Sequence, residues 1–334
     1  MYCGVLTGIE KGLQRPAFDA LRNHETFCAW KGQDAVDAAV TRLLDGATGE
    51  VLSADFTNFD ASVPNEVITR VFDVMASWFE REAGPQIRFV AEAFMRSGIY
   101  LPGLHPGDIE YRHGEERTGG VPSGSGLTNW IDSLANCWVF HYAARRVGGS
   151  VSRLLVNGDD AVVTFNRVPS MSAISEVMLD ELGMLIKMDP DKNLVSRVAV
   201  RYLKMEHHKA FRTEGLYRGL RPVNRALIGM TGHERPVPKG WRGWMNIFRW
   251  LQQLDPCLIH PGSEGLLLWF VGKTEGFLEE ALMAIMRGDP EVTLACSLVA
   301  GDDEGKSFLT LRGLRKSRLV RRLSELCGVS PSEW

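Results

Sequence analysis

Two adjacent carboxylates, Asp159 and Asp160, follow Asn157-Gly158 between the apolar runs 154–156 and 161–165. Short β-prone runs joined by Asn-Gly predict a tight hairpin. Its turn would hold both carboxylates at the end of a buried scaffold, where nothing in the flanking strands compensates their repulsion. A divalent cation would, and Mg²⁺ prefers carboxylate oxygens together with substrate phosphates. A second pair lies upstream in the segment 53–60, Ser-Ala-Asp-Phe-Thr-Asn-Phe-Asp. There Asp55 ends an apolar run and Asp60 follows five residues on. A carboxylate at a strand end is well placed to share a metal with a neighbouring hairpin turn. Taken singly, each pair also reads as an ordinary Asp-rich turn or cap.

A third segment is rich in small residues: Gly119-Gly120-Val121-Pro122-Ser123-Gly124-Ser125-Gly126-Leu127-Thr128-Asn129. Glycine has no Cβ, so the backbone over 123–126 could approach a nucleotide closely. The helix that begins after it would offer free N–H groups. No Gly-Lys-Ser/Thr follows, which excludes a Walker loop. The spacing and the preceding strand exclude a dinucleotide fingerprint.

The elements that must position these groups follow from periodicity and punctuation. Helices are predicted over 33–44 (closed by Gly46), 65–81, 85–95, 127–147 (stopped by Gly148-Gly149) and 172–182. A strand is predicted over 51–56, and 185–186 and 198–205 look β-like. Residues 98–120 read as loop or short hairpin. From Val223 onward the patterns are mostly helical, broken at Pro236, Pro238 and Pro256. The β-α-β-β-α-β order over 51–205 predicts an α+β fold, an antiparallel sheet backed by helices, with a separate helical subdomain after it.

Composition narrows the class. The 334 residues are 45% hydrophobic and 24% charged, as in a soluble globular protein. Cysteines 3, 28, 137, 257, 296 and 327 show no CxxC spacing. That argues against a zinc site or disulfide framework and fits a reducing compartment. No apolar run approaches ~18 residues, so no membrane insertion is expected. Glu10, Lys11 and Arg15 interrupt the N-terminal apolar residues, unlike a signal peptide. Net charge is −3, but residues 201–250 carry eleven Lys/Arg against three acids, and residues 306–322 carry seven and no acid. Segregated basic segments can track a phosphate backbone.

In this order, the strand-end Asp-x4-Asp, the Ser-Gly-x3-Thr helix and the Gly-Asp-Asp hairpin resemble motifs A, B and C of viral RNA-dependent RNA polymerases. The Thr128-Asn129 helix with Asp132-Ser133 and Asn136, and the segment Phe27-Cys28-Ala29-Trp30, look closest to the picobirnavirus and partitivirus-like enzymes. The resemblance covers roughly residues 25–230. It implies a right-hand fold: a palm over 51–215 with a finger insertion at about 64–118, a residual fingers or entry segment over 1–50, and a helical thumb over 216–334. It implies nucleotidyl transfer from NTP to an RNA 3′-hydroxyl with release of pyrophosphate, supported by two Mg²⁺ (or Mn²⁺) ions about 3.5–4 Å apart. By the same resemblance Asp55 and Asp159 are the principal metal ligands, with Asp160 and the Phe56 carbonyl auxiliary. Asp60 reads the ribose 2′-hydroxyl, and Ser123, Gly124, Thr128 and Asn129 complete the ribose and template contacts. Leu182-Gly183 with Asp191-Lys192-Asn193 resembles motif D, whose general acid would be Lys192 or Lys187. Arg201-Tyr202-Leu203-Lys204 resembles motif E, with Tyr202 and Lys204 at the primer grip. The implied partners are template RNA, product RNA and NTPs, and the implied location is host cytoplasm or the inside of a viral particle.

The chain departs from the family pattern in three places. Asp132 stands where many members have Asn. Thr128, Asp132 and Asn136 share one helical face, so Asn136 or Asn129 would take that role. No lysine directly precedes Gly183. Only about 54 residues precede Asp55, with no clustered basic strand pair, from which a truncated polymerase, or fingers on a separate polypeptide, is expected; a capsid protein is a further expected partner. A reverse transcriptase shares the palm but typically has a bulky aromatic in place of Asp60, so Asp60 and Gly158 favour RNA synthesis. The alternative is a catalytically incomplete palm/thumb RNA-binding subunit that needs a fingers partner: the missing fingers argue for it, and the intact Asp55, Asp159 and Asp160 argue against it.

Overall fold

The computed structural model describes residues 4–97, 99–102, 109–112, 118–122, 125–168, 170–186, 193–231, 241–258, 262–274, 276–300 and 310–329. They form two units, one of residues 1–31 and 38–203, the other of residues 32–37 and 204–334. The division falls between residues 203 and 204, and residues 1–31 belong to the first unit.

The first unit opens with α1 (Gly4–Leu21), a 3-10 segment Glu25–Lys31 and α2 (Gln33–Gly46), whose first residues belong to the second unit. Then come β1 (Val51–Ala54), the single turn α3 (Phe59–Ser62), α4 (Asn65–Trp78) and α5 (Gly84–Met95). A short hairpin, β2 (Ile99–Pro102) and β3 (Ile109–Arg112), lies within the stretch 98–120 expected as loop or short hairpin. The long α6 (Thr128–Arg146) leads to the hairpin β4 (Ser150–Asn157) and β5 (Asp160–Asn166), then α7 (Met171–Leu182), β6 (Leu194–Ser196) and β7 (Ala199–Tyr202). The sheet order is β4-β5-β1-β6, antiparallel throughout.

β1 is buried at all four positions. Leu52 and Ala54 join the main core with α4, α5, α6 and α7, while Ser53, on the other face, accepts the Arg201 N–H at 2.9 Å. Strand pairing stops at Ala54 rather than at residue 56; Phe56 makes an isolated bridge to Ile186. α6 is buried on most of its surface, Asp132, Ser133 and Asn136 included. Arg145 and Arg146 complement the dipole of its last turn. α7 is bounded by Ser170, whose side chain accepts from the Ala173 N–H, and by Gly183 at φ +66. α1 lies in the stretch expected only as an entry segment, and its buried Leu6, Leu13 and Ala17 tie it to the core.

In the second unit, β8 (Met205–His208), β9 (Arg212–Thr213) and β10 (Leu216–Tyr217) precede α8 (Val223–Thr231) and α9 (Asn246–Leu254). α10 (Ser263–Lys273), α11 (Phe277–Arg287), α12 (Pro290–Ala300), α13 (Leu311–Lys316) and α14 (Arg318–Leu326) complete it. Trp244 and Phe248 meet edge to face at 5.6 Å inside its core. A buried ionic network ties its strands to the start of α2. Asp37 Oδ1 meets His207 Nε2 at 3.0 Å and accepts from Gln33 Nε2 at 2.7 Å and the Gly219 N–H at 3.1 Å. Arg218 reaches Asp37 Oδ2 at 3.2 Å and Asp34 Oδ1 at 2.6 Å.

Candidate active site

Asp55 directly follows β1, and its N–H donates to Asn193 Oδ1 at 2.6 Å, just before β6. Ala54 pairs with Ala161, so Asp55 and Asp160 leave adjacent strands at the same end of the sheet. The chain then turns at Asn58, in the left-handed region at φ 51. Asn tolerates that conformation better than other non-glycine residues. Buried Phe56 and Phe59 pack edge to face at 4.9 Å and fix this turn, which places Asp60 in the first turn of α3. The Asp60 carbonyl accepts the Val121 N–H at 2.7 Å, and the Val63 carbonyl accepts the Gly120 N–H at 2.8 Å. A Cβ on Gly119 would lie 2.4 Å from the Val63 carbonyl oxygen, so only glycine fits there.

The carboxylate turn is a two-residue loop, since Asn157 pairs with Asp160. Gly158 alone has positive φ, +63, the pattern of a type II′ turn with glycine first. α6 lies beneath it. Ser133 Oγ accepts the Gly158 N–H at 2.8 Å and donates to the Asn129 carbonyl at 2.6 Å. Asn136 Nδ2 donates to the carbonyls of Gly158 and Asp159 at 3.0 and 3.1 Å. Asn129 Nδ2 reaches Asn157 Oδ1 at 3.4 Å, and its Oδ1 accepts from Trp30 Nε1 at 2.9 Å. One helical face, positions 129, 133 and 136, therefore holds the turn, Ser133 and Asn136 through its backbone and Asn129 through the Asn157 side chain.

Asp132 joins these segments electrostatically. Burial, with the Asp60 and Asp159 carboxylates nearby, pushes its pKa up to about 8. Its Oδ1 is buried with no hydrogen-bond partner among the described residues. The sequence segments carrying Asp60, Asp132 and Asp159 thus come together. Their donor set is all oxygen and rich in negative charge, which suits a hard divalent cation. Among the described residues, no three carboxylate, imidazole or thiol groups already stand in a chelating arrangement.

The other expected residues fall as follows. Thr128 Oγ1 donates to the Pro122 and Ser125 carbonyls at 2.7 and 3.1 Å, closing the entry to α6. Tyr202 is 1% exposed. Burial, with the Cys28 thiol and Asp160 carboxylate nearby, raises its pKa well above the ordinary value, so its ring is core beside Asp160 rather than exposed surface. Lys204 is exposed, in a turn where both Leu203 and Lys204 have positive φ. Ser123, Gly124, Lys187 and Lys192 lie outside the described residues, as does the second Gly-Asp-Asp at 301–303. Three contributors escaped the sequence reading. Asn193 holds the Asp55 backbone, Ser133 holds the Gly158 N–H, and Glu10 accepts from Ser125 Oγ at 2.9 Å. Only Ser133 had a signal: it lies one turn after Asn129 on the same helix.

A family model described as viral RNA-dependent RNA polymerase matches residues 9–234. The potential RNA-dependent RNA polymerase of human picobirnavirus (strain Human/Thailand/Hy005102/-) is 28% identical over 256 residues, covering 72% of this chain and 43% of that protein. The non-structural polyprotein 1AB of mink astrovirus 1 is 25% identical over 179 residues, covering 48% of this chain and 12% of the polyprotein. The crystal structure of the RNA-dependent RNA polymerase of a human picobirnavirus matches with a TM-score of 0.79 at 21% identity, covering 98% of this chain and 61% of that one. An insertion-loop deletion mutant of such a polymerase matches with a TM-score of 0.75 at 23% identity, covering 98% and 60%. The chain spans less than half the length of the curated relatives and about three fifths of the solved chains. The family model covers more than half of the chain and spans all three carboxylate-bearing segments, so this chain belongs to the viral RNA-dependent RNA polymerases.

Proposed function

We propose that this chain carries the nucleotidyl-transfer centre of an RNA virus polymerase and extends RNA on an RNA template from NTPs. The observation that carries the reading is the placement of Asp55 and the Asp159-Asp160 pair at one end of adjacent antiparallel strands, with the pair's backbone gripped by α6. The sheet-bearing part, 51–215 with the insertion at about 64–118, is the palm in this reading. Residues 216–334 are the thumb.

The reaction joins the RNA 3′-oxygen to the α-phosphorus of an NTP. The bond to the pyrophosphate oxygen breaks, the hydroxyl loses its proton, and pyrophosphate departs. Asp55 and Asp159 would hold Mg²⁺ or Mn²⁺, with Asp160 and the Phe56 carbonyl as further oxygen donors. Bound metal would supply hydroxyl activation and neutralisation of the leaving phosphates. Asp60, fixed through its carbonyl to the Val121 N–H, accepts from the ribose 2′-hydroxyl in this reading. Asn129, Ser133 and Asn136 keep the turn in one conformation while charge develops, which lowers the reorganisation cost of the step.

The test is template-dependent incorporation of labelled NTP by the purified chain, with Mg²⁺ and separately Mn²⁺, beside Asp159→Asn. Incorporation by the parent and its loss in the variant is expected. Equal incorporation by both would remove Asp159 from the chemistry.

A further inference from the structure

Glu10, on α1, is fully buried. Its Oε1 accepts from Ser125 Oγ at 2.9 Å and its Oε2 from the Gly126 N–H at 3.2 Å. Gln14 stands against the same place, since a Cβ on Gly126 would lie 3.3 Å from Gln14 Oε1. Positions 10 and 14 lie one turn apart on one face of α1, so that face grips two consecutive residues leading into α6. Burying a carboxylate is costly unless it is hydrogen-bonded and electrostatically favoured. Here Ser125 Oγ and the Gly126 N–H, just ahead of α6, supply the hydrogen bonds. The sequence led us to expect the backbone N–H groups at this helix entry to face a nucleotide. At Gly126 the N–H faces Glu10 instead.

The consequence runs along α6. Ser125 Oγ also accepts the Leu127 N–H at 3.0 Å, and the Ser125 carbonyl accepts from Thr128 Oγ1. Asn129, Ser133 and Asn136 then hold the carboxylate turn. We infer that Glu10 is a positioning residue: by fixing Ser125 and Gly126 it sets where α6 presents Asn129, Ser133 and Asn136 to the turn 157–159. Its functional half rests on the polymerase reading; its structural half does not.

Glu10→Ala, Glu10→Gln and Ser125→Ala in the whole chain test both halves by amide exchange and by KM and kcat for NTP. Glu10→Ala is expected to speed exchange at the Gly126 and Leu127 amides by about tenfold while β5 amides hold. The kcat for NTP incorporation should fall several-fold with a smaller change in KM. Glu10→Gln still offers an amide oxygen to Ser125 and should restore most of both. Ser125→Ala should move the same amides less, and it reads the contact from the other side if Glu10→Ala folds poorly. Unchanged exchange at Gly126 in Glu10→Ala would overturn the clamp. Faster exchange with KM and kcat untouched would overturn the positioning role. A parent chain that incorporates no nucleotide would sink the reading that this chain extends RNA by itself, and the functional half with it, while exchange would still decide the clamp.

Discussion

Asp37 and Asp132 are buried to nearly the same depth, 2% and 3% exposed, yet one is held ionised and the other pushed toward the neutral acid. Burial alone raises both. At Asp37 the upward pull is outweighed by the hydrogen bond and charge of His207, by Gln33 and by the Gly219 N–H, so its pKa falls below the ordinary value. At Asp132 burial is reinforced by Asp60 and Asp159, and the pKa climbs to about 8. Neighbours, not depth, decide the protonation state. The second unit spends its partners on an acid that ties strands to a helix. The first unit spends its hydrogen bonds on the backbone of the Gly-Asp-Asp turn and gathers negative charge around it.

The sharpest way to break this contrast is to remove charge in each region. Asp159→Asn should lower nucleotide incorporation roughly 10³-fold or more, because an amide cannot neutralise and hold a divalent cation as a carboxylate does. Asp132→Asn should retain activity, since an amide has the shape and neutrality of a protonated acid. Equal losses in the two variants would end the distinction between an acid used as an anion and one kept neutral.

Asp37→Ala acts on stability. It strands buried His207 and leaves the Gly219 N–H without this acceptor, while Arg218 keeps Asp34, and a broken buried pair costs about 3–5 kcal/mol. Denaturant-dependent amide exchange in β8 would report it, and a loss under about 1 kcal/mol would show that the network is solvated and weak.

The two acids also predict opposite pH slopes in metal-free protein. A raised folded pKa means that the folded state binds more protons than the unfolded one between about pH 4 and about pH 8. Stability from Asp132 therefore falls as pH rises through that window. Asp132→Asn should stabilise the first unit at pH 8 by on the order of a few kcal/mol relative to its effect at pH 4. The depressed pKa of Asp37 contributes stability that is present above the ordinary carboxylate range and lost as pH falls below it. Exchange of β5 amides across pH 4–8, and of β8 amides as pH falls below 4, with chelator present, separates the two. A flat difference between parent and Asp132→Asn would show that Asp132 is ionised throughout.

Much of this was legible because it is local. The turn at Gly158, the strand before Asp55 and the helix from Thr128 follow from periodicity and punctuation within a few residues, and their order carried the family resemblance. The supports were not legible, because they join residues far apart in sequence. Glu10 meets Ser125, Asn193 meets Asp55, and His207 meets Asp37. His207 carried no metal-ligand spacing and is a structural partner instead. Asp132 looked like a departure at a ribose-reading position; nothing local shows that burial and two distant carboxylates would favour its neutral form. α1 failed for a different reason. Its glycines and Pro16 weaken intrinsic helix propensity, and packing against the core overrides that.

Two glycines carry the comparison to its smallest scale. A Cβ at Gly219 would lie 2.8 Å from His207 Nε2, 2.9 Å from Gln33 Nε2 and 3.0 Å from Met205 Sδ, in the midst of the Asp37 network. Gly219→Ala should therefore cost about 1–3 kcal/mol by overpacking, read in the same β8 amides as Asp37→Ala. Gly158 is constrained by its backbone instead. Its φ is +63, and a Cβ there meets only Asn129 Nδ2 at 3.3 Å. Gly158→Ala should cost about 1–2 kcal/mol of left-handed strain. It should lower incorporation more than that stability loss alone would, because relieving the strain would rotate the Asp159 carboxylate. If Gly158→Ala instead loses stability and no activity, the turn holds Asp159 loosely, and the hydrogen bonds from Ser133 and Asn136 serve the fold rather than the site.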